Sequence, residues 1–136
     1  LLPKGTLLVC TRATIGEMAI ASHEMSTNQG FKNIVPNEKT NIEFVYYLLN
    51  FYKHKLISKA SGSTFLELSK SAFEGMHFHI PDYQEQKKIA AVLLNADREI
   101  DVLQQQLSDL KQEKKALMQQ LLTGKRRVKV DKKEVA

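Results

Sequence analysis

The sequence predicts an α+β protein: a small mixed sheet-and-helix domain followed by one long coiled-coil helix. Three observations carry this expectation. Short segments of mixed hydrophobic period run up to Pro81, together with five of the six glycines and all three prolines, Pro81 included. From Asp82 to Leu122 the chain holds neither Gly nor Pro and is rich in Leu, Gln, Lys, Ala and Glu, a composition that favours uninterrupted helix. Within that run, aliphatic residues recur in alternating steps of four and three, the spacing of a helix that lies against another helix.

Taken in order, Thr6–Thr11 and Glu17–Ala21 read as strands around a turn at Ala13-Thr14-Ile15-Gly16. Phe31–Val35 reads as a third strand, entered through Ser26-Thr27-Asn28-Gln29-Gly30 and ended by Pro36. The period then changes. Thr40-Asn41-Ile42-Glu43 fits a capping box, and Phe44, Tyr47, Leu48, Phe51 and Leu56 follow at helical spacing, predicting a helix from Asn41 to about Ala60. A loop at Ser61-Gly62-Ser63-Thr64 leads to short strands at Phe65–Leu68 and Met76–Ile80, flanking a helical turn at Lys70–Glu74.

Asp82 and Glu85 give a second capping pattern, after which the heptad opens. Ile89, Ala96, Leu103, Leu110 and Leu117 occupy d; Leu93, Ile100, Leu107, Lys114 and Leu121 occupy a. A helix of this length would extend about 60 Å at 1.5 Å per residue. A stripe of this kind in a bundle is ordinary core, but no second helix of comparable length exists in the chain to cover it. The expected cover is a second copy of the chain or a segment of a longer one. The organisation is then residues 1–81 as the α+β domain, 82–122 as the heptad helix and 123–136 as a basic tail.

With 136 residues, 43% apolar and 26% charged, the chain is neither disordered nor fibrous in composition. No apolar run approaches the roughly 18 residues of a membrane span. The single cysteine, Cys10, excludes an internal disulfide and fits a cytoplasmic location. The chain begins at Leu1-Leu2-Pro3 without Met, as expected of a fragment. The net charge of +5 is unevenly held. Residues 1–83 carry eight basic and seven acidic groups, 84–122 carry six of each, and 123–136 carry six and two. The basic pI of about 9.3 thus belongs mainly to the tail and does not by itself support sequence-specific recognition.

The chain contains no phosphate-binding Gly-rich loop, no nucleophile elbow and no His-Glu-x-x-His pair. Gly124-Lys125 follows a helix rather than opening one. Cys10 lies in an apolar strand, where an inert thiol is the simpler reading than a pair with His23. His77 and His79 alternate with Met76, Phe78 and Ile80, which a half-buried strand explains without a metal; no third and fourth ligands are close in sequence, and no metal site is expected. Arg12, Thr14, Asn28, Gln29, Lys32, Ser63 and Thr64 are side chains that DNA-reading surfaces use for phosphates and base edges. They are equally what ordinary turns contain.

Arranged in order, these segments resemble one family. Pro3-Lys4-Gly5-Thr6-Leu7-Leu8, Ala13-Thr14-Ile15-Gly16, Ser26-Thr27-Asn28-Gln29-Gly30-Phe31, Ser61-Gly62-Ser63-Thr64-Phe65 and Leu68-Ser69-Lys70 lead into Ile80-Pro81, Glu85-Gln86-Lys87-Lys88-Ile89-Ala90 and Leu117-Met118-Gln119-Gln120-Leu121-Leu122-Thr123-Gly124-Lys125. Nearly the whole chain is similar to the C-terminal part of one repeat of a type I restriction–modification specificity subunit. The resemblance implies that residues 1–81 are part of a target recognition domain and 82–122 a spacer helix. In that family two recognition domains each read half of a split double-stranded DNA target, and their helices pair antiparallel.

The resemblance also implies a non-catalytic chain without a cofactor of its own. S-adenosylmethionine, ATP and Mg would belong to the methyltransferase and restriction subunits it recruits. The expected partners are DNA, those subunits, and either a second copy through the long helix, giving a homodimer, or the missing half of its own subunit; no membrane is implied. The DNA side is expected at Arg12, Thr14, Asn28, Gln29, Lys32, Ser63 and Thr64. The alternative is a structural coiled-coil oligomerisation protein with no specific DNA binding.

Overall fold

In the computed structural model, which describes residues 1–62 and 66–129, three short strands form one antiparallel sheet. β1 (Leu7–Cys10) lies between β2 (Met18–Ile20) and β3 (Phe31–Ile34). The register sets Leu7 opposite Ile20 and Ile34, and Val9 opposite Met18 and Lys32. Because side chains alternate along a strand, Leu7 and Val9 share the inner face and are fully buried. Thr6 and Thr11 close β1 at its two ends, buried but satisfied. The Thr6 hydroxyl donates to the Pro3 carbonyl (2.7 Å) and that of Thr11 to the Gly30 carbonyl (3.0 Å).

Helix α1 (Ile42–Phe51) covers the inner face, burying Ile42 and Leu49 with Leu7 and Val9 in one cluster joined by Met18, Ile20, Ile34, Phe73 and Phe78. Its cap differs from the expected box. Thr40 is consumed by the preceding turn, its hydroxyl donating to Asn37 Oδ1 (2.8 Å), so Asn41 caps instead and accepts the Phe44 N–H at 2.8 Å. The single helix expected over Asn41–Ala60 is also two. The chain breaks at Tyr52 (φ −93°, ψ 19°), and α2 (Lys53–Ser58) follows. The break turns Leu56 into a second cluster with Ile15 and Leu68, while Phe51, expected inside, is 75% exposed.

α3 (Lys70–Glu74) starts on Ser69, whose hydroxyl accepts the Ala72 N–H, and Phe73 packs against both clusters. Among the described residues, neither of the strands expected on either side of it forms. Glu67 makes only isolated backbone bridges, to Ser61 and Arg12, and Phe65 lies outside the described residues. Met76–Ile80 belongs to no helix or strand. Its alternation persists because Met76 and Phe78 pack inward, while Ile80 is 51% exposed.

α4 runs from Tyr83 to Leu122, 40 residues. Asp82 caps it, its Oδ1 accepting the Glu85 N–H at 2.9 Å. Gly124, in the left-handed region (φ 74°), ends it; the Arg126 N–H returns to the Gln120 carbonyl at 3.0 Å, a stop that glycine permits at no steric cost. Two compact units result, Leu1–Leu94 and the chain from Asn95 onward. Within the first, α4 is docked by Gln86, which is 1% exposed. Its Oε1 accepts the Asn41 N–H (3.0 Å), and its Nε2 donates to the carbonyls of Pro81 (2.9 Å) and Lys39 (3.2 Å). Ala90, one turn later on the same face, is also buried.

Candidate nucleic-acid interface

The β1–β2 turn presents Arg12 and Thr14 on an unusual backbone. Ala13 between them has φ 63°, a left-handed conformation that costs an L-residue roughly 1–2 kcal/mol. Thr14 N–H returns to the Arg12 carbonyl (2.8 Å), and the Thr14 hydroxyl lies 3.3 Å from Cys10 Sγ. Cys10 is half-buried at this turn, its thiol directed to the Arg12 carbonyl. Gly16 closes the turn at φ +84°, with the Lys53 side chain pressed against it and paired to Glu17.

Asn28 is brought to the same place by the loop into β3. Its Oδ1 accepts the Gly30 N–H (2.9 Å), while the Gly30 carbonyl takes both the amide and hydroxyl of Thr11. A Cβ at Gly30 would stand 3.1 Å from Asn28 Oδ1 and 3.7 Å from Arg12 Cβ. The missing side chain at Gly30 thus leaves the space beside both Asn28 Oδ1 and Arg12 Cβ open. Gln29 is exposed at the tip of the loop.

Arg12 is not an open cation. Its Nη2 and Nε both donate to Glu67 Oε2, at 2.7 and 3.2 Å, with 49% of the Arg12 side chain exposed. Sequence reasoning missed Glu67, which lies 55 residues away and reaches Arg12 because the following Leu68 N–H bonds the Thr11 carbonyl (2.9 Å). Half-exposed, the pair contributes under about 1 kcal/mol, which leaves it exchangeable for a phosphate.

Lys32 stands apart from the turn. It shares the inner face of β3 with Ile34 and emerges half-buried into a groove of about 610 Å³ lined also by Phe31, Phe73, Lys70 and Glu74. It has no acidic partner among the described residues, whereas Lys70 pairs with Glu74 at 3.6 Å. The structure therefore gathers Arg12, Thr14 and Asn28, leaves Gln29 exposed beside them, and places Lys32 in a separate groove. Ser63 and Thr64 lie outside the described residues. Among the described residues no group of three or more His, Cys, Asp or Glu side chains is placed to hold a metal, and no helix is long and apolar enough to cross a membrane.

The described residues form a three-stranded α+β unit with polar side chains at its β1–β2 turn, and a last helix that runs to Leu122. Residues 1–112 match the type I restriction modification DNA specificity domain, and the chain belongs to that family. It is 44% identical over 96 residues to the type I restriction enzyme MjaIX specificity subunit of Methanocaldococcus jannaschii, covering 67% of this chain and 22% of that protein. The putative MjaX specificity subunit of the same organism is 33% identical over 124 residues, 90% of this chain and 29% of that one. The crystal structure of the type I restriction–modification system S subunit from M. genitalium shares the fold, with a TM-score of 0.68 at 17% identity over 88% of this chain and 33% of that chain. The chain thus spans between about a fifth and a third of the length of these relatives.

Proposed function

We propose that this chain is a DNA-recognition component of a type I restriction–modification complex. In this reading the domain reads one half of a bipartite double-stranded target, and α4 sets the spacing and carries assembly. The observation that supports it most is a specificity-domain match running through the domain and into a helix with an uncovered aliphatic stripe. The chain contributes recognition and no chemistry of its own. Methyltransferase and restriction subunits, its partners in the cytoplasm, would hold S-adenosylmethionine, ATP and Mg. Arg12, Thr14, Asn28 and Gln29 form the DNA side, with Lys32 as a phosphate contact from the neighbouring groove. α4 joins a second copy or the remainder of a longer subunit.

Selection of duplexes from a random pool by the purified protein tests this. The expected result is enrichment of a short half-site, retained when Lys125–Ala136 is deleted even as nonspecific affinity falls with the tail's charges. Loss of all DNA binding with the tail, together with intact oligomerisation, would instead make the chain a structural coiled-coil protein.

A further inference from the structure

Arg12 and Glu67 are set opposite one another by the backbone. The two residues form an isolated antiparallel bridge, and the Leu68 N–H bonds the Thr11 carbonyl beside it, so their side chains meet as a cross-strand pair. Glu67 Oε2 accepts the Nε N–H and one Nη2 N–H of Arg12. The groups this pairing leaves over are the informative ones. Among the described residues, the Nη1 group, the second Nη2 N–H and Glu67 Oε1 have no hydrogen-bond partner, and the two side chains are 49% and 35% exposed. The guanidinium thus keeps its end-on edge of two donors, with a carboxylate acceptor alongside.

We propose that Arg12 and Glu67 together read one G·C base pair from the major groove, Arg12 donating to guanine while Glu67 accepts from its cytosine. This rests on the DNA-recognition reading given above and adds to it a base-reading role for Glu67. In the major groove guanine offers two acceptors, N7 and O6, and the paired cytosine offers its N4 amino donor. Two donors beside an acceptor are the complement of that row. The spacing agrees. Guanine O6 and cytosine N4 are hydrogen-bonded to each other, about 2.9 Å apart, and Arg12 Nη2 and the Glu67 carboxylate are joined at 2.7 Å. The pair can therefore meet both bases without opening, and Arg12 arrives already held, losing less side-chain freedom on binding. The Glu67 charge repels phosphate, so a nonspecific duplex gains from opening the pair, whereas this base pair gains from keeping it.

The other base pairs fit less well. T·A keeps an acceptor and a donor at the two inner places, thymine O4 and adenine N6, but sets a methyl group where guanine N7 accepted. A·T and C·G each put a donor against Arg12 and an acceptor against Glu67, repulsive at both places. The order of preference is then G·C, T·A, with A·T and C·G last. Asn28 does not supply an equivalent reader for adenine: its Oδ1 is engaged by the Gly30 N–H (2.9 Å), which holds the amide to its own loop.

The test is selection from a random duplex pool by the parent protein, Glu67→Ala, Arg12→Ala and the double variant, each checked for folding by circular dichroism. The parent should enrich a half-site with one G·C position preferred over A·T and C·G by roughly ten- to a hundred-fold. Glu67→Ala should flatten that position and no other, Arg12→Ala should flatten the same one, and the double variant should be no flatter than Arg12→Ala. On the DNA side, 7-deazaguanine removes N7 and a pyrimidin-2-one nucleotide in place of the cytosine removes the N4 amino group. Each should weaken binding of the parent about ten-fold, a readout that needs no variant, and the pyrimidin-2-one should leave Glu67→Ala unaffected. A parent indifferent to the pyrimidin-2-one, or a Glu67→Ala protein that keeps or sharpens the guanine preference, would overturn the inference and make Glu67 only a competitor of DNA for Arg12, with half-site recognition standing. A parent that enriches no half-site would remove both readings.

Discussion

Gln86 is the side chain on which the start of α4 depends most heavily, and its removal should be felt far beyond one hydrogen bond. It satisfies the Asn41 N–H and the carbonyls of Pro81 and Lys39 from a position 1% exposed. Three hydrogen bonds at about 0.5–1.5 kcal/mol each, with their partners left in a site water reaches poorly, put Gln86→Ala at about 3 kcal/mol of destabilisation. For a urea dependence near 2 kcal/mol per molar, the midpoint falls by about 1.5 M. Gln86→Leu separates the causes, since it restores the volume but not the bonds, and should lose nearly as much. Hydrogen exchange supplies the local readout: the Asn41 amide loses protection in both variants, whereas the amides of β1 follow only the global change. A Gln86→Ala midpoint within about 0.3 M of the parent would refute the reasoning, and a neutral Gln86→Leu would assign the effect to packing.

Glu67→Gln frees the Arg12 guanidinium; duplex affinity should rise several-fold and its salt slope steepen by about 0.9, with Arg12→Ala moving both the other way. If titrations across a salt series leave both unchanged, Arg12 serves only to hold the turn to the Glu67 segment. Ala13→Gly relieves a left-handed alanine and should raise stability by about 0.5–1 kcal/mol in urea unfolding, the reverse of the usual penalty for glycine. Leu56→Ala, at a fully buried position, should cost about 2–5 kcal/mol, while Phe51→Ala, five residues earlier and 75% exposed, should stay within about 0.5 kcal/mol of the parent. Equal losses at the two would contradict the break at Tyr52.

Where local physics decides, the sequence was readable. The strands at Leu7–Cys10, Met18–Ile20 and Phe31–Ile34 lie inside the expected segments because each alternates and ends in turn residues. α4 is helical over nearly the whole Gly- and Pro-free run for a similar reason: nothing in that run competes with the helix. The failures occur where a choice depends on residues far along the chain. A helix through Tyr52 was favoured by spacing, but Tyr52 rests on Phe78, ring centroids 5.4 Å apart, and the break delivers Leu56 to Leu68. The Thr40 cap lost to a turn built by Asn37, and of the strand expected over Phe65–Leu68 the described residues show only bridges at Glu67. The candidate interface divides similarly. Arg12 and Thr14 share one turn, and Asn28 comes near Arg12 across Gly30 because the two turns lie at one end of the sheet. The neutralising carboxylate on Arg12 was invisible, since it arrives from a segment whose position only the tertiary fold fixes.

α4 itself shows why one period can serve two purposes. Gln86, seven residues before Leu93, lies on the a row of the same heptad, with Ala90 beside it; that row is buried against the domain at Gln86 and stays exposed from Leu93 onward. A glutamine on a docking face is costly in isolation, because it must find polar partners in a nearly dry place. Gln86 finds them in three backbone groups of its own chain, the Asn41 N–H and the Pro81 and Lys39 carbonyls, and so ties the first turn of α4 to the segment that caps α1.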